Sequence, residues 1–290
     1  MLKYLYVLLL PVLITACSSN KGKYNIPHLK ALTIQGEHAP CITFSYDAAG
    51  RLTAMTRFNN LQDSNTYKFL YDSYQRLSGM VCESNVNHQV KVTKRATVKD
   101  WDINGNIKKI EFFDQDQQQV TTAQVLWQGN QPLSLKYSNA SQATSWNYVQ
   151  GNPDWKNILQ DTTSPDNNTI YFTKAICEWD PSSYNPMAQM ANQLLLTDTI
   201  PQARPASPLP DITSLLLHIS TNNPSRIKLE EKQENNIGNA TASLSRSTTV
   251  QFMYASNGHG YPKKAQVYLH AQGYTQLNTD ANTVVNYSYE

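Results

Sequence analysis

The sequence predicts an all-β fold: a long antiparallel hairpin meander curved into an open or partly closed barrel. Three observations predict it. The chain carries 17 Tyr and 5 Trp against a charged fraction of only 16%, a composition suited to a pleated, half-buried sheet. Apolar residues alternate along short segments, each ending in an aromatic and followed by a turn signal. Those aromatics, Tyr46, Tyr71, Trp101 and Trp127, return at intervals of about 25–30 residues, the spacing of a repeated supersecondary unit.

The chain opens with a different signal. Met1 to Ala16 has one cation, Lys3, then an apolar run from Leu5 to Ile14 ending in Ile14-Thr15-Ala16-Cys17. Small residues after an apolar core mark a secretory cleavage site. The run is shorter than the roughly 20 residues a spanning helix needs. With Cys at the first mature position, the segment resembles a bacterial lipoprotein signal. That resemblance implies cleavage after residue 16, lipid attachment on Cys17, a tether over 17–27 and a single β domain over 28–290. No acidic pair follows Cys17, which points to a periplasm-facing anchor on the outer membrane.

The hairpin copies come next. Phe44-Ser45-Tyr46-Asp47-Ala48-Ala49-Gly50-Arg51-Leu52 and Phe69-Leu70-Tyr71-Asp72-Ser73-Tyr74-Gln75-Arg76-Leu77 are the clearest. Trp101 to Ile107, Trp127 to Leu133 and Tyr254 to Pro262 follow the same outline, with Gln128 and Ala255 in place of the Asp. Asp, Asn and Gly tolerate the left-handed backbone of tight turns. One hairpin alone is not stable, so the copies are expected to pair edge to edge.

Between about 181 and 224 the alternation stops. Asn185-Pro186 reads as a cap and first helical residue. Met187, Met190, Ala191, Leu194 and Leu195 form one helical stripe, and Ile212, Leu215, Leu216 and Ile219 form a second before Asn223-Pro224. A two-helix insertion around 185–219 is predicted, covering the mouth or concave face. Strands resume near Ile227, with a polar loop expected around Asn235 to Ala240.

These hairpins resemble the Tyr-Asp repeats of RHS-type proteins. The lipobox at Cys17, the Tyr-Asp-x-x-Gly-Arg-Leu hairpins, Ser220-Thr221-Asn222-Asn223-Pro224-Ser225-Arg226-Ile227 and Gly260-Tyr261-Pro262-Lys263-Lys264 together are similar to a family of uncharacterised cell-envelope lipoproteins, a domain of unknown function with a porin-like fold. The resemblance implies a curved, partly closed sheet and brings no catalytic residues with it.

Charge and motifs narrow the chemistry. With 24 Lys+Arg against 22 Asp+Glu, nothing attracts phosphate generally, so nucleic acid is not an expected partner. Lys91, Lys94, Arg95, Lys99, Lys108 and Lys109 form a local basic cluster, read as a solvated strand face. Charge on both faces of strands such as Arg95 to Lys99 argues against a barrel that spans lipid. Cys41, Cys82 and Cys177 match no zinc spacing; one disulfide or three free thiols both fit. Asp100, Asp102, Asn104, Gly105 and Glu111 satisfy the EF-hand calcium pattern. Their flanks alternate like strands, so a hairpin turn is favoured over a metal loop. The histidines show no metal-binding pair, and no cofactor is expected.

Trp101 and Trp127 occupy the repeated aromatic position. Trp146 and Trp155 have no equivalent in the clear hairpins, which makes them candidates for stacking on a glycan or apolar ligand; core packing competes with that role. The leading expectation is a non-catalytic envelope module that binds a ligand or envelope protein, tied to the membrane through Cys17. The alternative is an envelope hydrolase acting on glycans.

Overall fold

The computed structural model describes residues 27–37, 39–58, 62–138, 144–145, 147–154, 158–163, 169–197, 220–237, 240–273 and 278–290. Cys17, the tether to residue 26 and the predicted second helix lie outside the described residues.

Among the described residues eighteen strands are formed, and one sheet collects sixteen of them. The first nine are β1 (Leu29–Ile34), β2 (Ile42–Tyr46), β3 (Leu52–Phe58), β4 (Ser64–Tyr71), β5 (Leu77–Val86), β6 (Gln89–Trp101), β7 (Ile107–Phe113), β8 (Gln119–Gln128) and β9 (Gln131–Tyr137). Short pieces follow: β10 (Thr144–Ser145), β11 (Tyr148–Val149), β12 (Asn152–Pro153) and β13 (Ile158–Thr163). Long strands complete the sheet: β14 (Thr169–Tyr184), β15 (Asn222–Ile237), β16 (Ala240–Ser256), β17 (Pro262–Gly273) and β18 (Thr279–Tyr289).

Every pairing is antiparallel, and each hairpin lies beside the next, as the repeat predicts. The order runs β10 to β1, then β18 down to β13, so the two chain ends meet in mid-sheet. There β1 pairs with β18, Leu29 opposite Tyr289 and Ile34 opposite Val285. Among the described residues β10 and β13 are the edges of this sheet, and the ladder is not closed between them. The chain between those edges carries the separate two-stranded ribbon β11–β12.

One face of the sheet holds the core. Phe44, Met55, Phe69, Met80, Ile110, Val125, Leu135, Ile227 and Leu229 are all buried and belong to one cluster. Between them, outward residues such as Lys68 and Lys108 stay exposed, the period-2 alternation of a sheet with one dry face.

The insertion is partly as predicted. Residues 188–190 make one 3-10 turn, and α1 (Ala191–Thr197) follows. The expected cap is displaced: the Asn185 side-chain oxygen accepts from the Met187 amide at 2.9 Å and closes the turn ahead of the helical segment, whose own N-cap position is Met187, without a side-chain cap. The stripe is wider than expected. Leu194, Leu195 and Leu196 are at most 2% exposed, and three consecutive helical residues cover more than half the helix circumference. A helix buried that broadly belongs to the core itself, in one cluster with the sheet's apolar face.

Three boundaries differ from expectation. Asn223-Pro224 lies in β15, with Pro224 opposite Trp179 where the β14–β15 register shifts; the helix expected before it lies outside the described residues. Pro is tolerated because the register shift releases its missing amide from the ladder. The polar loop at 235–240 is also strand, paired as far as Ile237 opposite Ala240, because two residues suffice to turn a hairpin. In the fourth copy Pro132, not Leu133, takes the place of Leu52.

Candidate functional site

One rim of the sheet repeats a single construction. In the first turn the Asp47 side chain accepts from the amides of Ala49 and Arg51, both at 2.9 Å. The Asp47 amide donates to the Arg51 carbonyl at 3.0 Å, and the Gly50 amide to the Asp47 carbonyl at 2.9 Å. Gly50 holds φ of 76°, and Gln75, Gly105 and Gly260 hold the same left-handed position in later turns. Asp72 and Asp102 repeat the carboxylate role. This explains the two departures in the repeat. At Gln128 the turn is only two residues long, since Gln128 pairs with Gln131. After Ala255 the role moves to Asn257, whose side chain accepts from His259 and Tyr261.

Each hairpin is then fastened to its predecessor. The aromatic that ends one strand donates to the carbonyl of the residue that opens the second strand of the preceding hairpin. Tyr46 donates to Leu29, Tyr71 to Leu52, Trp101 to Leu77 and Trp127 to Ile107, at 2.6–3.2 Å. Tyr148 donates to Pro132, Trp179 to Pro153, Tyr254 to Pro224 and Tyr289 to Pro262, at 2.8–3.2 Å. These clasps run through β11–β12, so they bridge the gap that the ladder leaves open. Arginine adds a second lateral tie. The Arg51 guanidinium bonds Asp47 and lies 4.9 Å from the Tyr71 ring centroid; Arg76 bonds Asp72 and lies 4.4 Å from that of Trp101.

The insertion is stapled at its neck by buried asparagines. Asn185 donates to the Ser220 carbonyl at 3.0 Å, joining residues on either side of the insertion. Asn223 donates to the Ser183 hydroxyl and the Tyr184 carbonyl. Asn152 in the seam ribbon donates to the Asn222 side chain and accepts from the Asn222 amide. Gly151 approaches so closely that an added Cβ would stand 2.5 Å from the Thr221 hydroxyl. The Ser220-to-Pro224 segment singled out by sequence therefore locks plug, seam and sheet together.

Between plug and rim lies a cleft of about 390 Å³. Its walls include the stacked His28 and Tyr46 rings, 4.6 Å between centroids. Arg51, Arg76, Gln189 and Asn192 add polar groups. Gln193 donates to the Tyr71 hydroxyl at 3.2 Å, and Asn192 accepts from the Ile107 amide at 3.1 Å, so the plug is seated on the clasps themselves. The Arg51 side-chain bond, then its amide, hold the Asp47 carboxyl below the usual carboxylate range. A second concavity, about 540 Å³, lies over β15–β18 where His270 meets Asp280. The Asp280 hydrogen bond raises the His270 pKa, as expected for an exposed ion pair.

The sequence-predicted residues divide. Trp101 and Trp127 are clasps, as their repeat position implied, and Trp179 is a further one. Trp146 and Trp155 lie outside the described residues. The EF-hand residues form the β6–β7 hairpin. Asp102 holds the turn amides, Asp100 pairs with Lys108 and Glu111 with Lys99. Cys41, Cys82 and Cys177 are free thiols, the last two buried. The basic cluster lies along strands, and two of its members are engaged in those ion pairs. Sequence reasoning missed the asparagine neck, whose signal was present in the density of Asn around residues 222–223.

No protein-family model matches the chain, and no curated protein matches it by sequence. Among solved structures the chain is similar to a porin-like protein from Bacteroides uniformis ATCC 8492, at 13% identity over 90% of this chain and 96% of that one, with a TM-score of 0.32. It is also similar to a porin-like protein from Bacteroides vulgatus ATCC 8482, at 11% identity over 91% and 99%, with a TM-score of 0.35. The all-β assignment rests on this chain's own strand pairing. Among the described residues no helix is long and apolar enough to cross a membrane.

Proposed function

We propose that the chain is a lipid-anchored cell-envelope module, held by Cys17 on the periplasmic side of the outer membrane, that binds or scaffolds without catalysis. The observation that carries this reading is the plug. Leu194, Leu195 and Leu196 are buried in the same apolar cluster as the sheet's inner face, where a channel or an open active site would need space. The outer face supports a shell beside the membrane, not within it. Lys68–Glu83, Lys99–Glu111 and Lys108–Asp100 are ion pairs on its exposed side, and a Lys facing lipid at mid-bilayer costs about 2–4 kcal/mol.

The rim cleft is where a ligand would sit. Amides, guanidinium groups and an aromatic pair suit a polyhydroxylated or anionic envelope fragment such as a glycan. A hydrolase would need a free carboxylate pair there, whereas Asp47 and Asp72 are committed to their turn amides and arginines. Trp146 and Trp155 bracket the seam ribbon in sequence and are assigned a stacking role at that edge. The test is co-sedimentation of the full-length protein with purified envelope glycans, with release of reducing ends measured in parallel. Binding without release is expected, weakened by Gln189→Ala with Asn192→Ala. Release of reducing ends contradicts the non-catalytic reading; absence of binding removes the glycan.

A further inference from the structure

The clasped rim is also the end at which the tether meets the domain. Leu29 opens β1 there, and the Glu290 amide donates to the His28 carbonyl at 3.0 Å. The turn summits of this rim are uncharged: Ala48-Ala49, Ser73-Tyr74 and Ile103-Asn104. Two of them turn large apolar side chains outward, Ile103 at 101% exposure and Tyr74 at 79%. The Tyr74 ring meets the Arg76 guanidinium on one side, and the fold gives the Ile103 side chain no burial at all. At the opposite end two of the described turns carry exposed acids, Glu37 and Asp116, and the exposed apolar side chains there, Val86, Val90 and Val120, are smaller and less exposed, at 49–64%.

We propose that this rim faces a lipid surface, with Tyr74 and Ile103 seated at the headgroup boundary and the acidic turns directed away. The proposal rests on the lipid anchor assigned to Cys17, because the anchor makes the rim the end held nearest the bilayer. Its ten-residue tether, residues 18–27, reaches about 35 Å at most. Tyr is favoured at the membrane–water interface, where its ring is buried and its hydroxyl stays wet. An aliphatic side chain beside it gains by leaving water.

The test places a nitroxide at residue 74, 103 or 116 of the full-length, lipidated protein. Tyr74→Cys, Ile103→Cys and Asp116→Cys are made in a Cys41→Ser background, and each protein is reconstituted on phosphatidylethanolamine–phosphatidylglycerol vesicles. Accessibility to oxygen and to a water-soluble nickel chelate is then compared. On adding vesicles, positions 74 and 103 are expected to gain oxygen and lose nickel accessibility, while position 116 is unchanged. Equal water exposure at all three positions overturns the proposal. So does shielding of 74 and 103 from both reagents, which would mark a protein partner. The mass of the N-terminal peptide reads the anchor separately. Acylated protein with wet summits overturns the orientation alone, and embedded summits without acylation support the orientation while removing the anchor.

Discussion

Asn152 and Asn222 hold each other in a buried two-way contact, side chain to side chain at 3.0 Å and amide to side chain at 2.8 Å. Seventy residues apart in sequence, they join the ribbon in the sheet's gap to the strand that follows the insertion. Asn222→Ala leaves Asn152 and the Ser183 carbonyl without that partner in a dry site, a loss of about 2–3 kcal/mol. Chemical denaturation should show the midpoint fall, with hydrogen-exchange protection lost first at residues 148–153.

The clasps should matter unequally. Tyr254→Phe removes one hydroxyl between strands that already share a long ladder, and about 1 kcal/mol is expected. Burial pushes the Tyr254 pKa up, so the hydroxyl stays a donor at working pH. Tyr148→Phe removes a tie where no ladder joins β9 to β11. It should cost a similar amount globally while raising exchange selectively at 148–153. Equal local exchange in both variants would contradict a seam bridged by clasps.

The turn carboxylates give acid sensitivity with a definite sign. The Asp47 pKa is lowered in the fold, first by the Arg51 side chain and then by its amide. Its contribution is therefore complete above the ordinary carboxylate pKa and disappears as pH falls through the lower folded value. Asp47→Asn keeps the acceptor for the turn amides, as Asn257 does naturally, but cannot titrate. Wild type should be the more stable at pH 7, with the difference closing on acidification below about pH 4. A difference that stays constant with pH would show that the Arg51 contact contributes nothing.

The thiols answer the disulfide question left open by their spacing. Cys41, Cys82 and Cys177 are free, and burial raises the Cys177 pKa, leaving little reactive thiolate. Native protein should react with a thiol reagent slowly and at Cys41 first. All three should react in denaturant without reductant, and any that needs reduction first is paired.

Much of this was legible because hairpins announce themselves locally. Tyr46-Asp47 and Gly50-Arg51 specify a turn through residues within one strand length, and the Asn185 side chain does the same for the turn that leads into the plug. The clasps were half legible. Their donors are aromatic side chains, but their acceptors are backbone carbonyls, which leave no mark on a sequence; Leu and Pro serve equally. The seam was not legible, since nothing in Thr144-Ser145 marks a last strand when the edge depends on which chain ends meet. Nor was the depth of the plug: Leu196 lies off the predicted stripe, yet it is buried in the same core cluster as the sheet's inner face.

Amide hydrogen exchange across residues 191–197 tests the central claim, that α1 fills the shell as part of its core. Fixed by Leu194–Leu196 against the sheet and by Asn192 and Gln193 against the clasps, these amides should exchange as slowly as those of β5 and β7, and Leu195→Ala should cost about 2–5 kcal/mol. Exchange at the rate of an open loop, with β5 and β7 still protected, would show the shell standing without its plug and would contradict the account.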